Sequence, residues 1–424
     1  MKTNNQAKEL NKDLKEISPQ IYSLLSEFGK KAFFPKAGIL SQAADAKGKD
    51  INATIGIALD DSCKPLTLNS ITKNSKLKKE NTVLYSSSYG QDELRKKWME
   101  RIKRKNPSLE HDLSSPVITN GITHALSTVA KLFVNKGEKI IIPDKIWGNY
   151  KLVFEHAEFD TYETFSENGF NVKGLKEKLK ENTGKQIIIL NFPNNPTGYS
   201  ITEKEAEIIA DTIKESAQRD NKILVMCDDA YFGLFYDENV YKESIFSKLA
   251  NLHENVLAVK CDGVTKEMYS WGLRVGFVTY GYDGINDKIK TVLEDKTAGP
   301  IRGNISNVCT HSQILALQAL ENKNLEKQEL DNFDILKERY EKVKEILDNK
   351  KYKEHFEALP FNSGYFMCVE LKKDKGENVR QKLLKEYSTG VIAIDNILRI
   401  AFSSVPKKEL EALFENIYKA CKNN

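Results

Sequence analysis

At 424 residues the chain has length for two or three domains of roughly 150 residues each. Hydrophobic residues make up 40% and charged residues 29%, enough for a large core under a solvated surface and unlike a disordered chain. The net charge of +4 gives no footing for a nucleic-acid partner, and the lysines at 76–79 and 350–351 read as solvated surface. Cys63, Cys227, Cys261, Cys309, Cys368 and Cys421 are scattered, form no CxxC pair, and in part sit inside apolar runs. They read as reduced thiols of a cytoplasmic protein, with no disulfide framework and no metal site. The polar start, residues 1–16, lacks the apolar core of a signal peptide, and no apolar run approaches the ~18 residues a membrane span needs.

Residues 1–70 show no clear periodicity. From 116 onward, short aliphatic runs alternate with amphipathic stretches. Strands are expected at 116–118, 139–142, 186–190, 223–226 and 255–259, each too short for a helix and rich in Ile and Val. Between them 203–219 reads as a helix, with Ala206, Ile209, Ala210 and Ile213 on one face. This alternation implies a mostly parallel sheet flanked by helices. After 304 the texture changes to a long charged helix at 325–350, short strands at 365–371 and 398–402, and a last helix at 407–422. The expected division is a large α/β domain, 71–310, and a smaller α+β domain made of 1–70 and 311–424.

In an open α/β sheet, ligands gather at the carboxyl ends of strands. Several short segments follow predicted strands and so can converge there. Asn120-Gly-Ile-Thr-His-Ala-Leu126 opens a predicted helix, where free N–H groups and the helix dipole favour an anion. Trp147-Gly-Asn-Tyr150 follows the strand at 139–142. Asn194-Asn-Pro-Thr-Gly198 alone is an ordinary turn. Cys227-Asp-Asp-Ala-Tyr231 is as compatible with a surface loop as with a buried, paired carboxylate. Thr265-Lys-Glu-Met-Tyr-Ser-Trp-Gly-Leu-Arg-Val-Gly276 sets Arg274 eight residues after Lys266.

In this order and spacing the segments resemble the class I aminotransferases, the fold type I pyridoxal-phosphate (PLP) enzymes of the aspartate aminotransferase family, from about Tyr85 to Arg399. The resemblance implies that fold, with a seven-stranded, mostly parallel sheet, and PLP as cofactor. It puts Lys266 in covalent attachment to the cofactor aldehyde and in the proton shuttle. Asp228 takes the ring nitrogen, Asn195 and Tyr231 the ring 3-oxygen, and Trp147 the ring face. Arg274, Gly121, Ile122 and Thr123 take the phosphate, and Tyr85 reaches the neighbouring subunit's phosphate. Asp229 matches a variable position, and the Asn195–Pro196 bond is often cis in relatives. One departure stands out: Gly263 occupies the place of a phosphate-binding serine, for which Thr265 is the candidate substitute. Arg399 matches the arginine that grips the substrate α-carboxylate.

Arg302, in Ile301-Arg-Gly-Asn-Ile-Ser-Asn307, resembles the arginine that crosses the dimer interface to a substrate's distal carboxylate; an arginine merely tying loop to loop is the alternative. The implied activity is ping-pong transamination between an L-amino acid (aspartate, glutamate or an aromatic one) and a 2-oxo acid, in a homodimer with its active sites at the subunit interface. The alternatives are a PLP-dependent β-lyase of the same fold and, in another class, a PLP-sensing regulatory protein. The latter needs an N-terminal DNA-binding unit for which the stretch ahead of Tyr85 is short.

Overall fold

The computed structural model describes residues 4–34, 38–73, 83–166 and 169–422, so the lysines at 76–79 lie outside the described residues. A seven-stranded sheet forms its centre. In chain order its strands are β1 (Val117–Thr119), β2 (Lys139–Pro143), β3 (Glu158–Tyr162), β4 (Lys185–Asn191), β5 (Lys222–Asp228), β6 (Val256–Gly263) and β7 (Gly276–Tyr282). Across the sheet they lie in the order β1-β7-β6-β5-β4-β2-β3, with β7 running against the rest. The aliphatic runs form these strands because both faces are covered: in β4 and β5 every position after the first is buried. Helices flank the sheet. Helix Ile122–Phe133 buries Ala125, Leu126, Val129 and Ala130, and helix Glu203–Ala217 starts on a capping box between Thr202 and Glu205.

Register decides what meets at the sheet's edge. Asn191 pairs with Asp228, and Asp228 with Cys261, so the carboxyl ends of β4, β5 and β6 finish on one line. Because β7 is antiparallel, its first residue, Gly276, enters at that same edge, opposite both Gly263 and Thr119. Segments far apart in sequence are thereby brought together.

The C-terminal part carries an antiparallel sheet of β8 (Phe356–Ala358), β9 (Met367–Leu371), β10 (Ile392–Ile394) and β11 (Ile397–Ile400), in the order β8-β9-β11-β10. The predicted long helix spans Leu325–Leu347, ending at Asp348 ahead of a 3₁₀ turn at Lys350–Glu354, and the last one spans Leu410–Lys422, the 3₁₀ turn Lys407–Glu409 taking up its expected start. The N-terminal stretch, expected beside the C-terminal part, contains helices Asn5–Ile17, Pro19–Leu24, Glu27–Lys31 and Ile39–Asp45. Ala7, Leu10, Leu14 and Ile17 give the first of these helical spacing on one face, though of them only Ala7 is buried. Two-residue strand Ile51–Asn52 runs parallel to Thr389–Gly390, tying this stretch to the C-terminal part.

Candidate active site

A cavity of about 130 Å³ opens at the aligned strand ends. Ile122, Thr123, Trp147, Asn195, Asp228, Tyr231, Thr265, Lys266 and Arg274 all line it, so the structure brings together nine of the residues singled out in the sequence. Lys266 stands in the single-turn helix Val264–Glu267 just after β6, its Nζ 4.8 Å from the centre of the Tyr231 ring. Burial pushes its amine down to about 8; Arg274 adds to the shift and Asp228 opposes it.

Asp228 is the last residue of β5 and is buried. The Tyr150 hydroxyl donates to its Oδ2 at 2.5 Å and the Ala230 N–H to its Oδ1 at 3.1 Å. Burial raises its carboxyl above the usual range, against the pull of Tyr150 and Lys266. Asn191, ending the neighbouring strand, donates from Nδ2 to the Asp228 carbonyl at 2.8 Å and accepts from the Asn195 N–H at 2.9 Å. Tyr150 and Asn191 were not assigned a role from sequence. Tyr150 opens the one-turn helix Tyr150–Val153 and Asn191 ends β4 in register with Asp228, so both meet Asp228 only through the packing of neighbouring elements.

At the other end, Arg274 meets the start of helix Ile122–Phe133. That helix has no side-chain cap, and Gly121 before it has a positive φ of 79°. A Cβ on Gly121 would collide with the Arg274 guanidinium. Arg274 itself has φ of 55°, and its Nη1 donates to the Trp271 carbonyl at 3.0 Å. A left-handed non-glycine residue is held against a conformational cost, a feature that clusters at ligand sites. A guanidinium and an uncapped helix N-terminus repel one another unless an anion lies between them. Thr265 lines the same cavity, and its buried Oγ1 has no hydrogen-bond partner among the described residues.

Gly263 is explained by packing. A Cβ there would come within 2.6 Å of the Val275 carbonyl oxygen and 2.8 Å of the Gly276 Cα, so no side chain fits at the place where the resemblance implies a serine. Restoring that serine, Gly263→Ser, is expected to cost about 1–3 kcal/mol of stability through overpacking and to improve nothing. Thermal unfolding and cofactor titration of the variant check this; an unchanged Tm with tighter cofactor binding would contradict it.

Four further positions read in the sequence are placed as follows, and one of them, the cis bond, differs from expectation. Of the two readings open for the Asp228-Asp229 pair the structure has the buried one: Asp229 is buried, ion-paired with Lys260, and accepts from Ser244 Oγ at 2.6 Å. The cis peptide bond is Phe192–Pro193, and Asn195–Pro196 is not cis. Tyr85 is 91% exposed and lies outside the cavity. Arg302, on helix Asp287–Ile305, is exposed and donates to Ser306 Oγ at 2.7 Å, also away from the cavity of its own chain.

Arg399, on β11, is 3% exposed and donates to the Thr54 carbonyl at 3.1 Å. Its Nε has no hydrogen-bond partner, and among the described residues no carboxylate pairs with it. A buried guanidinium in that state is costly, and an incoming carboxylate relieves the cost.

The family model for aminotransferase class I and II matches residues 49–417. The chain belongs to that family. An aspartate aminotransferase of Bacillus sp. (strain YM-2) is 30% identical over 241 residues, covering 55% of this chain and 56% of its relative, so the match spans about half the relative's length. A probable aspartate/prephenate aminotransferase of Rickettsia prowazekii (strain Madrid E) is 24% identical over 81% of this chain and 85% of its own. A crystal structure of an aminotransferase from Anaerococcus prevotii DSM 20548 superposes with a TM-score of 0.79 at 25% identity, covering 90% of this chain and 95% of the other.

Pyridoxal phosphate, the cofactor of class I and II aminotransferases, fits the residues present. The anion site between Arg274 and the Gly121 helix start suits its phosphate, the buried Asp228 carboxylate suits a protonated ring nitrogen, and Lys266 suits its aldehyde. Among the described residues there is no group of acids, histidines or cysteines able to hold a metal ion, and no helix is long and apolar enough to cross a membrane.

Proposed function

We propose that this aminotransferase moves an amino group between an L-amino acid and a 2-oxo acid in two half-reactions at one PLP site. The observation that carries this reading is the pairing of a buried lysine amine, lowered to about 8, with the buried Asp228 carboxylate in one cavity. When bound, PLP supplies an aldehyde and an electron-withdrawing ring that stabilises charge on the carbon losing its proton. Lys266 Nζ would hold that aldehyde, and its amine, when free and neutral, would be placed to take and return a proton at the substrate α-carbon. Its lowered pKa leaves a useful share of neutral amine near physiological pH. Asp228, steadied by Tyr150, would keep the ring nitrogen protonated. Asn195 and Tyr231 would donate to the ring 3-oxygen, Trp147 would cover the ring face, and Arg274, Thr265 and the helix start at Gly121, Ile122 and Thr123 would hold the phosphate.

Arg399 binds the substrate α-carboxylate. Arg302 and Tyr85, exposed in a single chain, are assigned to the neighbouring copy's site in a homodimer, Arg302 to a distal carboxylate and Tyr85 to the phosphate. Six free cysteines favour the cytoplasm. We divide the chain into a large domain, 71–310, and a small domain, 1–70 with 311–424; the Ile51–Asn52 pairing with Thr389–Gly390 supports that division. The family match and the transaminase names of the relatives favour this chemistry over a β-lyase.

The purified protein given aspartate or phenylalanine with 2-oxoglutarate should yield glutamate and the donor's 2-oxo acid, with parallel double-reciprocal lines. Pyruvate and ammonia from cystathionine without an acceptor, and no glutamate from any donor, would establish the lyase instead.

A further inference from the structure

A second cavity, of about 590 Å³, adjoins the first, within the range of small-molecule pockets. Three neighbour relations join them. Ile146 and Gly148 line the large cavity on either side of Trp147, and Pro196 lines it next to Asn195. Ile397 lines it two residues before Arg399 on β11, and so points to the same face of the strand. These shared segments make this space the candidate for the side chain of a substrate whose α-carboxylate would sit on Arg399 and whose amine would lie near Lys266.

The far wall comes from the N-terminal stretch, through Phe33 and Ile39, which lie ahead of residue 49 where the family match begins. That wall is fastened. Gln42, one turn from Ile39 on the same helix, donates from Nε2 to the Ala393 carbonyl at 2.9 Å and accepts from the Ala393 N–H at 2.6 Å. The apolar surface is otherwise uncovered: Leu152, which also lines the cavity, is 40% exposed.

The charges at this cavity cancel or stand at its rim. Lys145 donates to Asp144 at 2.5 Å, and Asp144 in turn accepts from the Thr164 N–H at 2.9 Å and hydroxyl at 2.7 Å. Lys151 and Asp395, of opposite sign, are both exposed, and no arginine lines the wall. The remaining polar lining is uncharged amides, among them Asn4, Gln6, Asn149 and Asn396, so no guanidinium fork awaits a distal carboxylate, whereas a large uncharged group would cover Phe33, Ile39, Ile146, Leu152 and Ile397.

We propose that this cavity receives the side chain of the amino donor, and that the donor is a bulky, uncharged amino acid whose outer contact is the N-terminal wall of Phe33 and Ile39. The inference rests on the transaminase reading above. In a ping-pong enzyme it leaves Arg302 free to serve a dicarboxylate as the other partner.

The test is the isolated first half-reaction of the full-length holoenzyme, followed by the change in cofactor absorbance with L-phenylalanine or L-aspartate alone. The ratio of kcat/KM for phenylalanine to that for aspartate should fall about tenfold in Phe33→Ala and further in Ile39→Arg, which puts a cation in the cavity. An unchanged ratio in both variants, or a wild type that converts aspartate but not phenylalanine, overturns the donor assignment and leaves the transaminase reading intact. A wild type that converts neither donor overturns the transaminase reading, and the inference with it.

Discussion

Replacing Lys266 with alanine is expected to abolish the absorbance of lysine-bound cofactor and to lower turnover by about 10⁴-fold or more, the upper range for removing a positioned acid–base group. Phosphate, ring and α-carboxylate contacts come from other residues, so the variant should still bind cofactor and amino acid. In the wild type stripped of cofactor, the nucleophile is the neutral amine. Burial favours that form, so the rate of PLP capture should rise about tenfold per pH unit and level off near pH 8, where half the amine is neutral. Stopped-flow absorbance across pH 6–10 (an interval spanning about 8 on both sides) checks this. A capture rate that kept climbing to the ordinary lysine range, about 10.4, would show that Lys266 is solvated and not in the cavity.

The sheet and most of the cavity were legible because their signals are local. Runs such as Gln186 to Leu190 and Ile223 to Met226 can only be buried strands, and polar residues just after them fall at the ligand edge. What escaped is non-local. Asp229 looks like loop chemistry until register sets Cys227 opposite Lys260, which brings that lysine within reach of the Asp229 carboxylate. Tyr150 and Asn191 likewise acquire their roles from neighbouring elements. Gly263 shows the converse: a missing serine reads as a defect in sequence, yet the antiparallel pairing with Gly276 leaves no volume for a side chain. In the N-terminal stretch the helical spacing of Ala7, Leu10, Leu14 and Ile17 was available to a sequence reading, whereas Pro19–Leu24, Glu27–Lys31 and Ile39–Asp45 are too short to show a period of their own.

The acid beneath the site gives a prediction that separates electrostatics from folding. Asp228→Asn keeps the shape and can still accept from Tyr150, but removes the charge. Turnover should fall about 10²–10³-fold, the scale of losing one preorganised electrostatic partner. The same change should make cofactor capture easier at low pH. The Asp228 charge raises the Lys266 pKa while burial and Arg274 lower it, so the asparagine variant's capture profile should level off below pH 8. Stability should not suffer, because the carboxyl that burial has already shifted upward is costly to hold as an ion, and a neutral isostere relieves that cost. Lower turnover with an earlier capture midpoint and an unchanged or higher Tm is thus the expected triad. If the capture midpoint stays where it is in the wild type, Asp228 and Lys266 do not share one field. A variant that merely loses Tm would make Asp228 a structural residue and leave the ring nitrogen without its partner.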